Sequence, residues 1–322
     1  SPGTETTIPL SARDRLVAMW LAADRQVCMV CLGDFWQLPG PQKPPSNVVD
    51  SAGWGTWACP IEFHQVFRCK DEKLGDKLAV LRTSVPSKKV FRAICSEAHR
   101  AWKTQEPTAW DVLELMRKTE EKTTIATCTR RGAAIVNALA LQVLFVDRNK
   151  TKLADLPFDW DTNMENFDDD GDVVSDRAPV AERTPVYAGM RVFLTKNLNK
   201  RDDFVNGMQA AVEEYDSGSR CLRVRTSTGK RLSVFPVTET VGKYKVTFYP
   251  VRIGHAGKVQ RIQGMTLEHI TVYLDAPGCR AAAYVAMSRV EYDYQYLIAG
   301  DAQHASSIQS LHGPPRLDRI AH

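Results

Sequence analysis

Apolar and polar positions follow two different periods along this chain, and each change of period marks an element. Val27 to Leu32 is a nearly continuous apolar run closed by the polar turn Gly33 to Pro39, the pattern of a buried parallel strand and the loop beyond its carboxyl end. From Ile61 the period becomes helical, with Leu74, Leu78 and Leu81 on one face. Thr124 to Cys128 predicts a strand and Gly132 to Phe145 a helix, a βα unit that opens an α/β domain. Asp147 to Arg183 is polar, rich in Asp and without period, and predicts a long acidic loop.

Beyond that loop, strand-like segments at Arg191 to Thr195, Gln209 to Tyr215, Cys221 to Thr226 and Arg231 to Val237 are separated by Asn206-Gly207, Ser217-Gly218 and Thr228-Gly229. Such Gly turns between short strands signal hairpins, and their spacing predicts a small antiparallel β-barrel inserted into the α/β domain. The α/β pattern resumes with a strand at His269 to Leu274 and a helix from Arg280 to about Arg289. Residues 1–60 hold one convincing strand, a Pro-rich segment and a Trp-rich one. A complete nucleotide-binding domain needs several βα units of ~30 residues or more, so this part reads as the tail of one. The expected division is residues 1–60 as that remnant, 61–190 and 251–322 as a second α/β domain with an acidic loop at 147–183, and 191–250 as the inserted barrel.

Composition narrows the class only a little. The chain is 43% hydrophobic with a net charge of +4, enough for a core and only mildly suited to nucleic acid. No apolar run approaches the ~20 residues of a membrane span, and Ser1 to Pro9 lacks the regions of a signal peptide. Eight cysteines over 322 residues are too sparse for a disulfide scaffold and suit a reducing compartment. The chain thus reads as soluble and intracellular. Cys28 and Cys31 are three apart on a strand and point to opposite faces, so they cannot share a metal. Asn166 to Gly171 has the spacing of a calcium loop's opening, but its closing position holds Arg177 in place of Glu. No metal site is expected.

Four segments carry chemistry, and their order is more specific than any of them alone. They are Gly33-Asp34-Phe35-Trp36-Gln37-Leu38-Pro39, Phe63-His64-Gln65-Val66-Phe67-Arg68, Gln263-Gly264-Met265-Thr266-Leu267-Glu268 and Ala283-Tyr284-Val285-Ala286-Met287-Ser288-Arg289. They resemble motifs III to VI of superfamily 1 DNA helicases, in the RecD-like subgroup named after petite integration frequency. The resemblance covers about residues 27–300 and implies a RecA-like P-loop NTPase fold. It implies that Gln37 senses the terminal phosphate of ATP and that Arg68 and Arg289 are arginine fingers. A planar cation inserted across an interface stabilises the charge spread over oxygens in phosphoryl transfer. Gly264 and Glu268 would lie toward the nucleotide, Gly264 allowing close backbone approach. Thr266, Gln263 and Arg261 would meet a single DNA strand. The family usually has His-Lys before this Gln-Gly, whereas here Gln260 and Arg261 stand there. Thr127, Thr129 and Arg130, at a strand end before a helix, could offer hydroxyls, N–H groups and charge to DNA phosphates. Asn199 and Asn206 match a family segment that leads into the inserted barrel.

No G-x-x-x-x-G-K-[ST] loop occurs in the sequence, and no Asp-Glu pair for Mg2+ precedes Gly33 on an apolar strand. In the family both precede motif III, so the chain reads as the later part of the enzyme, holding neither ATP nor Mg2+ completely. The complete enzyme implied is an ATP-dependent helicase moving 5′ to 3′ on single-stranded DNA. It would be a monomer in the nucleus or mitochondrion, with roles in DNA repair, recombination and telomere maintenance. Two other classes remain open: a non-catalytic single-stranded DNA-binding module, and a decayed mobile-element fragment.

Overall fold

Leu74 and Leu81, picked out by helical spacing, are fully buried on helix α1 (Glu72–Thr83), and Leu78 packs beside them. Asp71 opens this helix by accepting from the N–H of Lys73, because first-turn N–H groups have no partner within the helix. The structure, a computed structural model, describes residues 68–159, 183–241, 244–276 and 281–301. The Val27 to Leu32 strand, the loop bearing Gln37, the Cys28 and Cys31 pair, Phe63 to Phe67 and the Asn166 to Arg177 segment lie outside these residues.

Helices α2 (Lys88–Ile94) and α3 (Ala109–Lys118) follow, the latter opened by a capping box between Thr108 and Asp111. Strand β1 (Thr123–Thr127) leads into α4 (Arg130–Leu141), which continues as a π turn over Gln142–Val146. Strands β2 (Lys152–Pro157) and β3 (Arg183–Tyr187) pair antiparallel. Then come β4 (Arg191–Leu194), β5 (Gln209–Asp216), β6 (Cys221–Thr226) and β7 (Arg231–Val234). Strands β8 (Val237–Val241) and β9 (Tyr244–Phe248) form a hairpin, and β10 (Val251–Ile253) returns to β4. The last elements are β11 (Ala256–Lys258), α5 (Val259–Ile262), β12 (His269–Tyr273), α6 (Ala282–Met287) and β13 (Tyr296–Ala299).

The α/β reading and the antiparallel insertion both hold. Four strands form a parallel sheet in the order β11-β1-β12-β13. Between β1 and β11 in sequence lies an antiparallel sheet in the order β10-β4-β5-β6-β7. Among the described residues no pairing joins β7 back to β10.

Alternation along the parallel strands divides the core, since successive side chains point to opposite faces. Ala126, Ile270, Val272, Tyr296 and Ile298 pack with α1 and α6. Ile125, Tyr273, Leu297 and Ala299 face α3 and α4, in a core continuous with the antiparallel sheet through Val192, Leu194 and Val212. Helix α6 is shorter than its pattern predicts, but Ala281 to Met287 are all buried. A helix apolar all round belongs inside, and its alanines let it lie close to the sheet.

Three histidines in this framework are held neutral. Burial pulls His269 down to about 4, and it pulls His255 well below its usual 6.5, with the Arg191 charge adding to it. His99 is lowered by burial and then by Lys77. The unfolded chain therefore binds protons that the folded chain refuses, and stability declines as pH falls below 6.5. Urea unfolding is expected to give a flat stability above pH 7 and a steady loss between 6.5 and about 4. His269→Gln should flatten part of that slope; an unchanged slope would place the titration elsewhere.

Candidate functional site

Segments 198 to 220 residues apart meet at the amino-terminal edge of the parallel sheet. The Arg68 guanidinium donates from Nε to Thr266 Oγ1 at 3.2 Å and from Nη1 to the Ser288 carbonyl at 3.0 Å. Arg289 is buried and donates from Nε to the Val285 carbonyl at 2.9 Å and from Nη2 to Ser288 Oγ at 2.6 Å. Ser288 thus takes one guanidinium on its carbonyl and the other on its hydroxyl. The Leu267 N–H donates to the Arg289 carbonyl at 2.9 Å, which ties the approach to β12 to the end of α6. Three of the four segments singled out in the sequence are therefore in contact.

A second layer holds this arrangement. The Lys70 N–H donates to the Glu291 carbonyl at 2.9 Å, and its ammonium pairs with the Glu291 carboxylate at 2.7 Å. The Asp293 N–H donates to Asp71 at 2.9 Å. Lys77 reaches from α1 to Asp293 at 2.7 Å and donates to Tyr296 Oη at 2.9 Å, while His99 stacks on the Tyr296 ring. The half-buried Lys77 and Asp293 fix α1 against the chain after α6, and with it the direction from which Arg68 enters. Sequence reading passed over this network because its members are scattered polar residues without a spacing signal.

Glu268 is exposed and pairs with Lys122 at 3.3 Å on the same edge. Gly264 has φ +87°, a left-handed conformation that a side chain would strain. No residue brings a carboxylate to Arg68 among the described ones, so its charge is matched only by a hydroxyl and a carbonyl.

At the carboxyl edge the expected phosphate contacts are occupied from within. The N–H groups of Cys128 and Thr129 donate to the Asp275 carboxylate at 2.6 and 3.1 Å, and the Thr129 hydroxyl donates to it as well. Thr129 Oγ1 also caps α4 by accepting from the Gly132 N–H at 2.9 Å. Thr127 is buried, its hydroxyl bound to the Thr129 carbonyl at 2.7 Å. Burial pushes the Asp275 carboxyl above its ordinary range, while these donors pull it back. The partial positive charge of a helix N-terminus attracts an anion, and here the chain supplies its own. Arg130, the third of this group, stands partly exposed at the helix start. Asp275 was not singled out from the sequence; an acid directly beyond an apolar strand was the signal.

The remaining predicted residues gather farther along. A cleft of about 340 Å³ lies between the sheets, lined by Phe193 to Thr195, Asn206, Gly207, Arg252, Gln260 and Arg261. Asn206 and Arg261 are thus brought together, whereas Gln263, Thr266 and Asn199 do not line this cleft. Asn199 instead closes a turn, donating to Asp202 and accepting from the Arg201 N–H at 3.1 Å. No helix among the described residues is long and apolar enough to cross a membrane.

No protein-family model matches the chain. It is 25% identical over 297 residues to the rat ATP-dependent DNA helicase PIF1, covering 86% of this chain and 42% of that protein. The chain therefore spans about two-fifths of the length of this relative. Among solved structures it resembles the Pif1 helicase from Candida albicans, with a TM-score of 0.58 and 18% identity over 88% of this chain and 64% of the other. It also resembles the Bacteroides Pif1 helicase in complex with ADP-AlF3 and single-stranded DNA, with a TM-score of 0.51 and 16% identity over 79% of this chain and 54% of the other. At such identities the structures speak for the fold, and that fold is RecA-like. The relatives of this chain are PIF1 helicases.

Proposed function

We propose that this chain supplies the second RecA-like lobe of an ATP-dependent DNA helicase, with residues 61–190 and 251–322 as the lobe and 191–250 as its insertion. The observation that carries this reading is the meeting of Arg68 and Arg289 on Ser288 beside Thr266. Two planar guanidiniums converging on one residue suit the oxygens of a phosphate chain, which each can bind through paired N–H donors. ATP with Mg2+, when bound, supplies the phosphoryl group that is transferred. The residues of this chain contribute charge and position: Arg68 through the hold of Lys70, Asp71 and Lys77 on the chain around it, Arg289 through α6. Gln37, on the resemblance alone, completes the set. The single DNA strand would run along the opposite edge, past Arg130, Gln263, Arg261 and Asn206. Compartment and oligomeric state, nucleus or mitochondrion and monomer, go with the same resemblance.

The sequence contains no phosphate-binding loop, so this chain alone is expected to bind single-stranded DNA and to turn over no ATP. Affinity should fall with salt, with log–log slope near −0.7 for each phosphate neutralised. ATP hydrolysis that rises with single-stranded DNA and vanishes in Arg289→Ala would overturn the expectation of inactivity. The burial of Arg289 favours a second reading, a DNA-binding module whose arginines are idle. Protection of the nucleotide-edge amides from exchange by ADP would count against that module.

A further inference from the structure

A tryptophan stands exposed at the carboxyl edge of the parallel sheet. Trp110, in the first turn of α3, keeps 64% of its surface in water. A single exposed apolar residue needs no explanation by itself; its place in the fold is what singles Trp110 out. Only residues 119–122 join α3 to β1, and α3 packs on the face of the sheet, so helix and strand run in opposite directions. The start of α3 therefore lies where β1 ends and α4 begins.

Contacts fix that placement. The Trp102 ring meets Tyr273, at the end of β12, with centroids 5.2 Å apart. Tyr273 Oη donates to the Gln105 carbonyl at 2.6 Å, and Gln105 Nε2 donates to the Asp275 carbonyl at 3.1 Å. Glu106 reaches Arg131, in the first turn of α4, at 4.0 Å. The segment leading into α3 is thus laid over the end of β12. The first turn itself is firmly held, by the capping box of Thr108 and Asp111 and by Val112, Leu115 and Met116 in the core. Asp111 is engaged in that cap, and Glu114 pairs with Arg117 at 2.9 Å. Arg131 keeps 80% of its side chain exposed. With Arg130, with Lys258 at the end of β11 and with Arg261 just beyond it, it makes this edge basic.

We infer that Trp110 is a stacking platform for one base of the bound single strand, carrying its path from Arg261 past Arg130 and Arg131 onto α3. The inference rests on the reading of the chain as a binder of single-stranded DNA. Single strands are held by a positive track for the backbone and by aromatic faces for the bases. Here the arginines supply the track and Trp110 the face. An indole has only two side-chain torsions, so little freedom is lost when a base lies on it. Every base has a π-face, so the platform tells a strand with bases from one without and does not choose among the bases.

Fluorescence anisotropy of the whole chain tests this with two strands of about 15 nucleotides, one of thymidines and one built of abasic sites. Trp110→Ala is expected to weaken the thymidine strand roughly tenfold and to leave the abasic strand almost unaffected. The salt slope should stay unchanged, because no phosphate contact is lost. Trp110→Phe should restore most of the affinity. Arg131→Ala should weaken both strands and reduce the slope by about 0.7. Tyr294→Ala removes an aromatic ring 73% exposed at the opposite edge, just before β13, and should bind both strands as the unaltered chain does. Undiminished affinity in Trp110→Ala, or an equal loss on both strands, would overturn the platform while leaving DNA binding standing. Binding of neither strand by the unaltered chain would overturn the single-strand reading itself.

Discussion

Gly254→Ala is expected to lower the stability of the chain by about 3 kcal/mol, at the upper end of the cost of forcing an extra carbon into a packed interior. A Cβ at this position would stand 2.7 Å from the Val192 carbonyl carbon and 2.9 Å from its Cα and N. These are backbone atoms of β4 and have no rotamer by which to retreat. Val192 also pairs with Ile253 on β10, and the Gly254 N–H donates to the Arg191 carbonyl at 2.8 Å. The chain therefore crosses over β4 at Gly254 as it leaves the antiparallel sheet for β11. A substitution there pushes apart the two sheets that frame the cleft. Denaturant unfolding should show a lower midpoint, and a companion loss of single-strand affinity is expected. Gly257→Ala serves as a control, because its Cβ would meet only the Phe193 ring, at 3.4 Å. If both variants were equally stable, the crossing would not be as tight as described.

The second large effect centres on Asp275. Asp275→Ala removes the acceptor for two backbone N–H groups and the Thr129 hydroxyl at the start of α4. Leaving such groups half-buried and unpaired should cost about 2 to 3 kcal/mol. Gly132→Ala attacks the same contact from the other side, since its Cβ would fall within 2.6 Å of the Asp275 carboxyl carbon and closer still to Oδ2. Both single variants are expected to melt early, and the double variant should cost clearly less than their sum, because the carboxylate that the added methyl would strike is gone. Full additivity in a double-mutant cycle would show that the two residues do not share one interaction. Asp275→Asn keeps the shape but offers one acceptor oxygen in place of two and sets its NH2 against an N–H donor, so it should cost about as much as Asp275→Ala.

How much of this was legible beforehand varies by element. Periodicity located α1 through Leu74, Leu78 and Leu81, and the Gly turns located the hairpins from β4 to β7, because both signals are local. The contacts of Thr127 and Thr129 were not legible. A strand end before a helix looks the same whether its donors meet a DNA phosphate or a carboxylate of the chain 146 residues away. The turn that Asn199 closes was not legible for a similar reason, since an Asn near a turn serves the turn as readily as a ligand. Helix α6 ends earlier than its pattern predicts, with the Ser288 N–H closing onto Tyr284.

The sequence by itself determined the class of the protein: an α/β lobe with an antiparallel insertion, and the ordered segments ending in Arg68, Glu268 and Arg289 that resemble a helicase. These properties depend on residue type and order along the chain, which folding leaves unchanged. Only the tertiary structure decided that Arg68 and Arg289 share Ser288, that Asp275 occupies the N-terminus of α4, and that Thr195, Arg252 and Gln260 join Asn206 and Arg261 around one cleft. Each of those depends on which strands lie side by side and where Gly254 lets the chain cross. Such pairings are settled by the packing of distant surfaces, and the spacing of neighbouring residues carries no record of them.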